Sequence, residues 1–177
     1  MARMHATTPT GEQIRFLRRL RAIKEYTPES ISQEAIDDIL EVGRWTGSGA
    51  NKQPWEVVVV RDPDVRQKFG AWGAKPAATA PLVLLIVSEG DGSAFDEGRL
   101  AERLALAAAA YGLGSTVTTL KNEGPDSAKQ LLGIPTARRA RTLVAVGHPD
   151  VEARRARPKN PQARKPMAAF VHWERFA

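Results

Sequence analysis

Ser48-Gly49-Ala50-Asn51-Lys52-Gln53-Pro54-Trp55-Glu56-Val57-Val58-Val59-Val60 joins a polar, glycine-bearing loop to a run of β-branched residues. Pro54 cannot continue a helix and four successive valines favour extended backbone, so the stretch predicts a loop over 46–54 and a buried strand over 55–61. Two helices precede it. Thr10 and Gln13 form a capping-box pattern, and Ile14, Leu17 and Leu20 follow at helical spacing, predicting a helix over 11–23. Residues 26–28 break it. A second helix starts at Ser32, with Glu34 in its first turn and Ile36, Ile39, Leu40 and Gly43 on one face, and ends near Trp45.

Downstream, Asp62-Pro63 turns the chain into a short helix over 64–72, and a Pro/Ala linker leads to a second buried strand over 82–88. A loop at 90–93 precedes a long helix over 95–111, stopped by Gly112 and Gly114. Residues 115–120 are β-prone, 127–132 a short helix, and 141–147 the last strand. Two helices before any strand argue against a doubly wound nucleotide fold that begins on a strand. Beyond 150 the chain reads as an extended basic tail. Its final stretch, with Phe170, Val171, Trp173 and Phe176, is too apolar for a free end and predicts packing on its own domain or on a partner subunit.

The 177 residues suffice for one hydrophobic core, and 42% hydrophobic with 26% charged content is ordinary for a globular chain. Absence of cysteine excludes disulfides, thiolate zinc sites, iron–sulfur clusters and cysteine nucleophiles. No apolar run approaches the roughly 18 residues of a membrane span, and the first ten residues lack a signal-peptide core, so a cytoplasmic location is the expectation. The formal charge is +6, and residues 151–166 hold Arg154, Arg155, Arg157, Lys159, Arg164 and Lys165 against Glu152 alone. Such a tail reads as a nucleic-acid arm, a solvated surface, or the grip on one anionic ligand.

Familiar catalytic signatures are missing. Gly47/Gly49 and Gly112/Gly114 complete no G-x-G-x-x-G, Gly47-Ser48-Gly49 is no nucleophile elbow, and His5, His148 and His172 share no ligand spacing. Asp96 and Glu97 most simply bias a helix N-terminus. What remains is several cations and a polar glycine loop, the inventory of a protein that positions a cofactor carrying the hard chemistry. A flavin suits it better than a metal.

Three segments, Arg21-Ala22-Ile23-Lys24-Glu25-Tyr26-Thr27, Ser48-Gly49-Ala50-Asn51-Lys52-Gln53-Pro54-Trp55, and Gly147-His148-Pro149 followed by Arg164-Lys165-Pro166, together resemble the FMN-dependent nitroreductase family. The turn Gly112-Leu113-Gly114-Ser115 resembles it too, and the likeness runs over about 18–166. It implies an α+β fold with a central, mostly antiparallel sheet flanked by helices and an extended C-terminal tail. It also implies a homodimer with two FMN sites at the interface.

In residues, the resemblance implies Arg21 toward the flavin phosphate, Lys24 near the pyrimidine edge, and Ser48, Gly49 and Asn51 supplied by the other subunit. Thr118 and Thr119 would pass near flavin N5, and Arg164 with Lys165 would close the phosphate site. Leu20 and Ala22 stand where the family usually has Arg and Ser, which removes a cation and a hydrogen bond and implies looser FMN. The implied activity is ping-pong hydride transfer from NAD(P)H to FMN and on to a nitroaromatic, quinone or similar small-molecule acceptor. Flavin N5, not a side chain, would carry the chemistry, and no metal is implied. The expected organisation is a loosely held 1–10, then one flavin domain over 11–177 with an arm at 150–177. The rivals are a non-catalytic polyanion or nucleic-acid binding module using the basic tail, and a flavin store or sensor.

Overall fold

Strand β1 (Trp55–Val60) pairs antiparallel with β2 (Leu82–Glu89), whose residues are buried up to Ser88. β3 (Gly114–Thr119), the two-residue β4 (Arg138–Arg139) and β5 (Thr142–Gly147) complete a five-stranded sheet in the order β1-β2-β5-β3, with β4 beside β2 and all strand pairs antiparallel. This computed structural model describes residues 11–90, 94–158 and 164–176. The expected loosely held 1–10, Thr10 of the capping-box pattern, and Lys159 lie outside them.

β2 is apolar from Leu82 to Val87 because both faces of the sheet are covered. Side chains alternate across a strand, so Val83, Leu85 and Val87 enter one core with Phe69, Leu120 and Ala145, while Leu82, Leu84 and Ile86 enter the other with Ile36, Ile39, Leu100 and Leu104. The helices, in chain order, are α1 (Gly11–Arg19), α2 (Gln33–Arg44), α3 (Pro63–Ala71), α4 (Lys75–Thr79), α5 (Ala94–Ala110), α6 (Gly124–Leu132) and α7 (Val151–Ala156). The second core is roofed by α2 and α5, which approach so closely that a Cβ on Gly43 would lie 2.6 Å from Leu104 Cδ2. α3, α4 and α6 cover the first.

Ser32 caps α2, its Oγ accepting from the Ala35 amide at 3.2 Å. Ser32→Ala is expected to cost about 1 kcal/mol, visible as a lowered midpoint in thermal or urea unfolding.

Several boundaries differ from the sequence reading. The first helix stops at Arg19 rather than 23, because the next residues serve the sheet: Ala22 bridges Ser115 in parallel, and the Ile23 amide donates to the Ser115 carbonyl at 2.8 Å. These bonds satisfy backbone groups at the outer margin of β3. Gly114 is required there, since a Cβ would lie 2.8 Å from Ile23 Cβ. β1 is only partly buried, with Val59 39% exposed, as suits the sheet edge. The Pro/Ala linker contains α4, and the tail opens with α7, capped by Asp150 accepting from the Ala153 amide at 2.9 Å. Met167–Ala169 adds one 3₁₀ turn. The apolar end lies open on its own chain: Met167, Phe170, Trp173 and Phe176 are 70, 71, 81 and 90% exposed.

Candidate functional site

α1 ends in the basic turn Arg18-Arg19, and Arg21 folds back on it, Nη1 donating to the Arg18 carbonyl at 2.8 Å and to that of Leu20 at 2.7 Å. A cation at a helix C-terminus answers the unpaired carbonyls there. The same turn forms one wall of a cleft of about 580 Å³ lined by Leu17, Arg18, Leu20, Arg21, Ala22, Glu102 of α5 and Arg164 of the tail. Arg21 and Arg164, from opposite ends of the sequence, therefore share one cleft. Among the described residues none of its three arginines makes an ion pair, and neither does Glu102.

The loop before β1 is tightly wound. Ser48 Oγ accepts from the Gln53 amide at 2.8 Å, and Ala50, Asn51 and Gln53 take positive φ of 49°, 53° and 49°. Non-glycine residues there are strained and persist where the surroundings hold them. Gly49 faces open space, with no atom within 4 Å of where a Cβ would stand. α5 links this loop to the cleft. Its Arg99 packs against Gly47, where a Cβ would be 2.9 Å from Arg99 Nη2, and Glu102, about 4.5 Å further along the helix axis, lines the cleft.

Of the residues expected at the site, the structure brings Arg21, Ala22 and Arg164 together. Lys24, Ser48, Gly49, Asn51, Thr118, Thr119 and Lys165 do not line that cleft within one subunit. Lys24 is exposed, and its backbone amide donates to Glu25 Oε2 at 3.4 Å. Thr118 and Thr119 are half-buried at the end of β3, opposite Leu143 and Thr142.

Sequence reasoning missed Arg18 and Glu102, whose only signal was a helical spacing toward one surface. It also read too little into Glu97, which stands in the first turn of α5 as expected. That residue is 3% exposed, accepts hydrogen bonds from Ser88 Oγ and, at 2.8 Å, from Thr142 Oγ1, and pairs with Arg139 Nε at 3.2 Å. It ties the start of α5 to β2, β4 and β5 instead of merely biasing a helix end. Among the described residues no cluster of three or more His, Asp or Glu is placed to hold a metal, and no helix is long and apolar enough to cross a membrane.

An antiparallel sheet with helices on both faces and a cationic cleft beside its last strand defines an α+β protein of the nitroreductase fold. An FMN-dependent nitroreductase from Clostridium difficile superposes with a TM-score of 0.76 at 23% identity, covering 92% of this chain and 99% of that one. The model of the Nitroreductase family matches residues 17–90, from the end of α1 through β2. The resemblance to the nitroreductase family read from the three sequence segments thus stands. An NADH dehydrogenase of Thermus thermophilus is 25% identical over 96% of this chain and all of its own length. Human iodotyrosine deiodinase 1 is 27% identical over 77% of this chain, which spans 61% of that protein.

Proposed function

We propose that this chain is an FMN-dependent oxidoreductase that takes hydride from NAD(P)H and passes the electrons to a nitroaromatic, quinone or similar acceptor. The observation that carries the reading is the shared cleft of Arg21 and Arg164. The match to the Nitroreductase family and the NADH dehydrogenase relative support an NAD(P)H-dependent flavin oxidoreductase.

The residues present fit the cofactor's phosphate. Three guanidinium groups and one carboxylate give the cleft a net charge near that needed to balance a phosphate dianion, and guanidinium binds such oxygens through short, often bidentate bonds. Arg21 keeps Nε and Nη2 for this while Nη1 caps the helix. Ala22 offers no hydroxyl, so that end of the cleft relies on charge. Gly49, open where a side chain would stand, leaves room for a flat ring against the loop backbone. Bound FMN supplies the two-electron chemistry. The chain orients it: Lys24 would stabilise negative charge at the pyrimidine edge, Thr118 and Thr119 would flank the reacting side, and Lys165 would assist Arg164.

A homodimer completes the arrangement, with Ser48, Gly49 and Asn51 supplied by the partner. It is supported by the apolar side chains of Met167, Phe170, Trp173 and Phe176, which find no cover on their own chain. In this reading 11–177 is one flavin domain and 150–177 its arm. A chain truncated after Pro166 is expected to sediment as a monomer and to lose most of its flavin affinity. A truncated chain that stays dimeric would show that the arm is not what joins the subunits.

The decisive experiment is a visible spectrum. Purified protein incubated with FMN should gain flavin absorbance that NAD(P)H bleaches without oxygen and an added quinone restores. Protein that acquires no such absorbance overturns the reading. The polyanion alternative is tested by salt: binding of nucleic acid at low salt that weakens steeply as salt rises would favour it over the flavin reading.

A further inference from the structure

We propose that Arg18 and Glu102 together set the charge of the anion cleft, Arg18 as a third phosphate-binding cation and Glu102 as the carboxylate that moderates it. The inference rests on the flavin reading above.

Leu20, which lines the cleft just past the end of α1, is apolar, so the positive charge on that side must come from its neighbours. Arg18 provides it. Arg18 stands in the last turn of α1 and Arg21 two residues beyond the helix end, and the Arg21 Nη1 bond to the Arg18 carbonyl at 2.8 Å ties the Arg21 side chain back to that turn. Both residues therefore line the same cleft from one short, tied segment. Arg164 approaches from the tail. Three like charges converging without a counter-ion repel one another, and a bound dianion relieves that repulsion.

Glu102 changes the balance. It lines the cleft yet makes no ion pair with any of the three arginines among the described residues, so it does not cancel one of them outright. It reduces the field felt by any anion entering, from three positive charges to two. A free inorganic phosphate, which has nothing but charge to bind with, is penalised by the carboxylate, whereas a flavin phosphate also carries a ring that binds elsewhere. The carboxylate thus weakens every phosphate at the cleft alike, so that only a ligand with further contacts is held there firmly.

The test uses fluorescence titration of the full-length protein with FMN and with riboflavin, which lacks the phosphate, and competition of FMN by inorganic phosphate. R18A is expected to weaken FMN about tenfold, the low end for losing a hydrogen bond to a charged group, and to leave riboflavin unchanged. E102Q is expected to tighten FMN about threefold and to lower the inhibition constant of inorganic phosphate by a similar factor. Opposite signs from two exposed positions exclude a common folding defect. If wild type binds FMN but R18A matches it, or loses riboflavin equally, Arg18 is no phosphate ligand. If E102Q leaves both FMN affinity and phosphate competition unchanged, Glu102 plays no part. Wild type that binds neither flavin overturns the flavin reading and this inference with it.

Discussion

Glu97→Ala is expected to destabilise the folded protein by about 1.5–3 kcal/mol, the range for hydrogen bonds to a charged group, because the Arg139 left behind is a third exposed and water answers its charge. Glu97 holds Ser88 Oγ, Thr142 Oγ1 and Arg139 Nε at one point where α5 meets β2, β4 and β5. Its loss takes the carboxylate from the fully buried Ser88 and removes the counter-ion of the Arg139 guanidinium, each at a free-energy cost. Against a typical stability of roughly 5–15 kcal/mol the change is large. Urea unfolding should show a much lower midpoint with an unchanged slope. Glu97→Gln, which can still accept from one hydroxyl, is expected to lose less. A Glu97→Ala midpoint within error of wild type would mean that the network is decorative.

Removing Arg164 is expected to weaken FMN by about 1.5–3 kcal/mol, or roughly ten- to hundredfold, as for a hydrogen bond to a charged group. Combining Arg164→Ala with Arg21→Ala should exceed either change, toward loss of measurable binding. The two differ in a second readout. Arg21 also caps α1 through Nη1, so Arg21→Ala should lower stability slightly, whereas exposed Arg164 should not. Riboflavin affinity should barely move in the Arg164 variant. Unchanged FMN affinity in the double variant would separate the cleft from flavin binding altogether.

The order of elements was legible because local signals were strong. Four valines after Pro54, the apolar run at 82–88, and the alanine-rich helix closed by Gly112 each mark one element, and each forms an element of the type read, although β1 is only partly buried. The overrun of the first helix has a different origin. Leu20 to Ile23 fits helical periodicity, and nothing local reveals that the Ser115 carbonyl, over ninety positions away, will claim the Ile23 amide. The same holds for β4, two arginines that pair only because Ser88 and Glu89 lie beside them.

Sequence alone determined the order of helices and strands, and its resemblance to the nitroreductase family implied the α+β layering; the unbroken apolar run of β2 agrees with a sheet covered on both sides. It also determined which residue types stand ready for an anion. Only the tertiary structure decided which of them meet. Arg21 and Arg164 converge and Arg18 and Glu102 join them, while Lys24, Ser48 and Asn51 stay outside that cleft. The reason is that local pattern follows from the backbone geometry of a few residues, whereas charge convergence depends on where a helix end, a second helix and a distant tail come to rest once the core has packed.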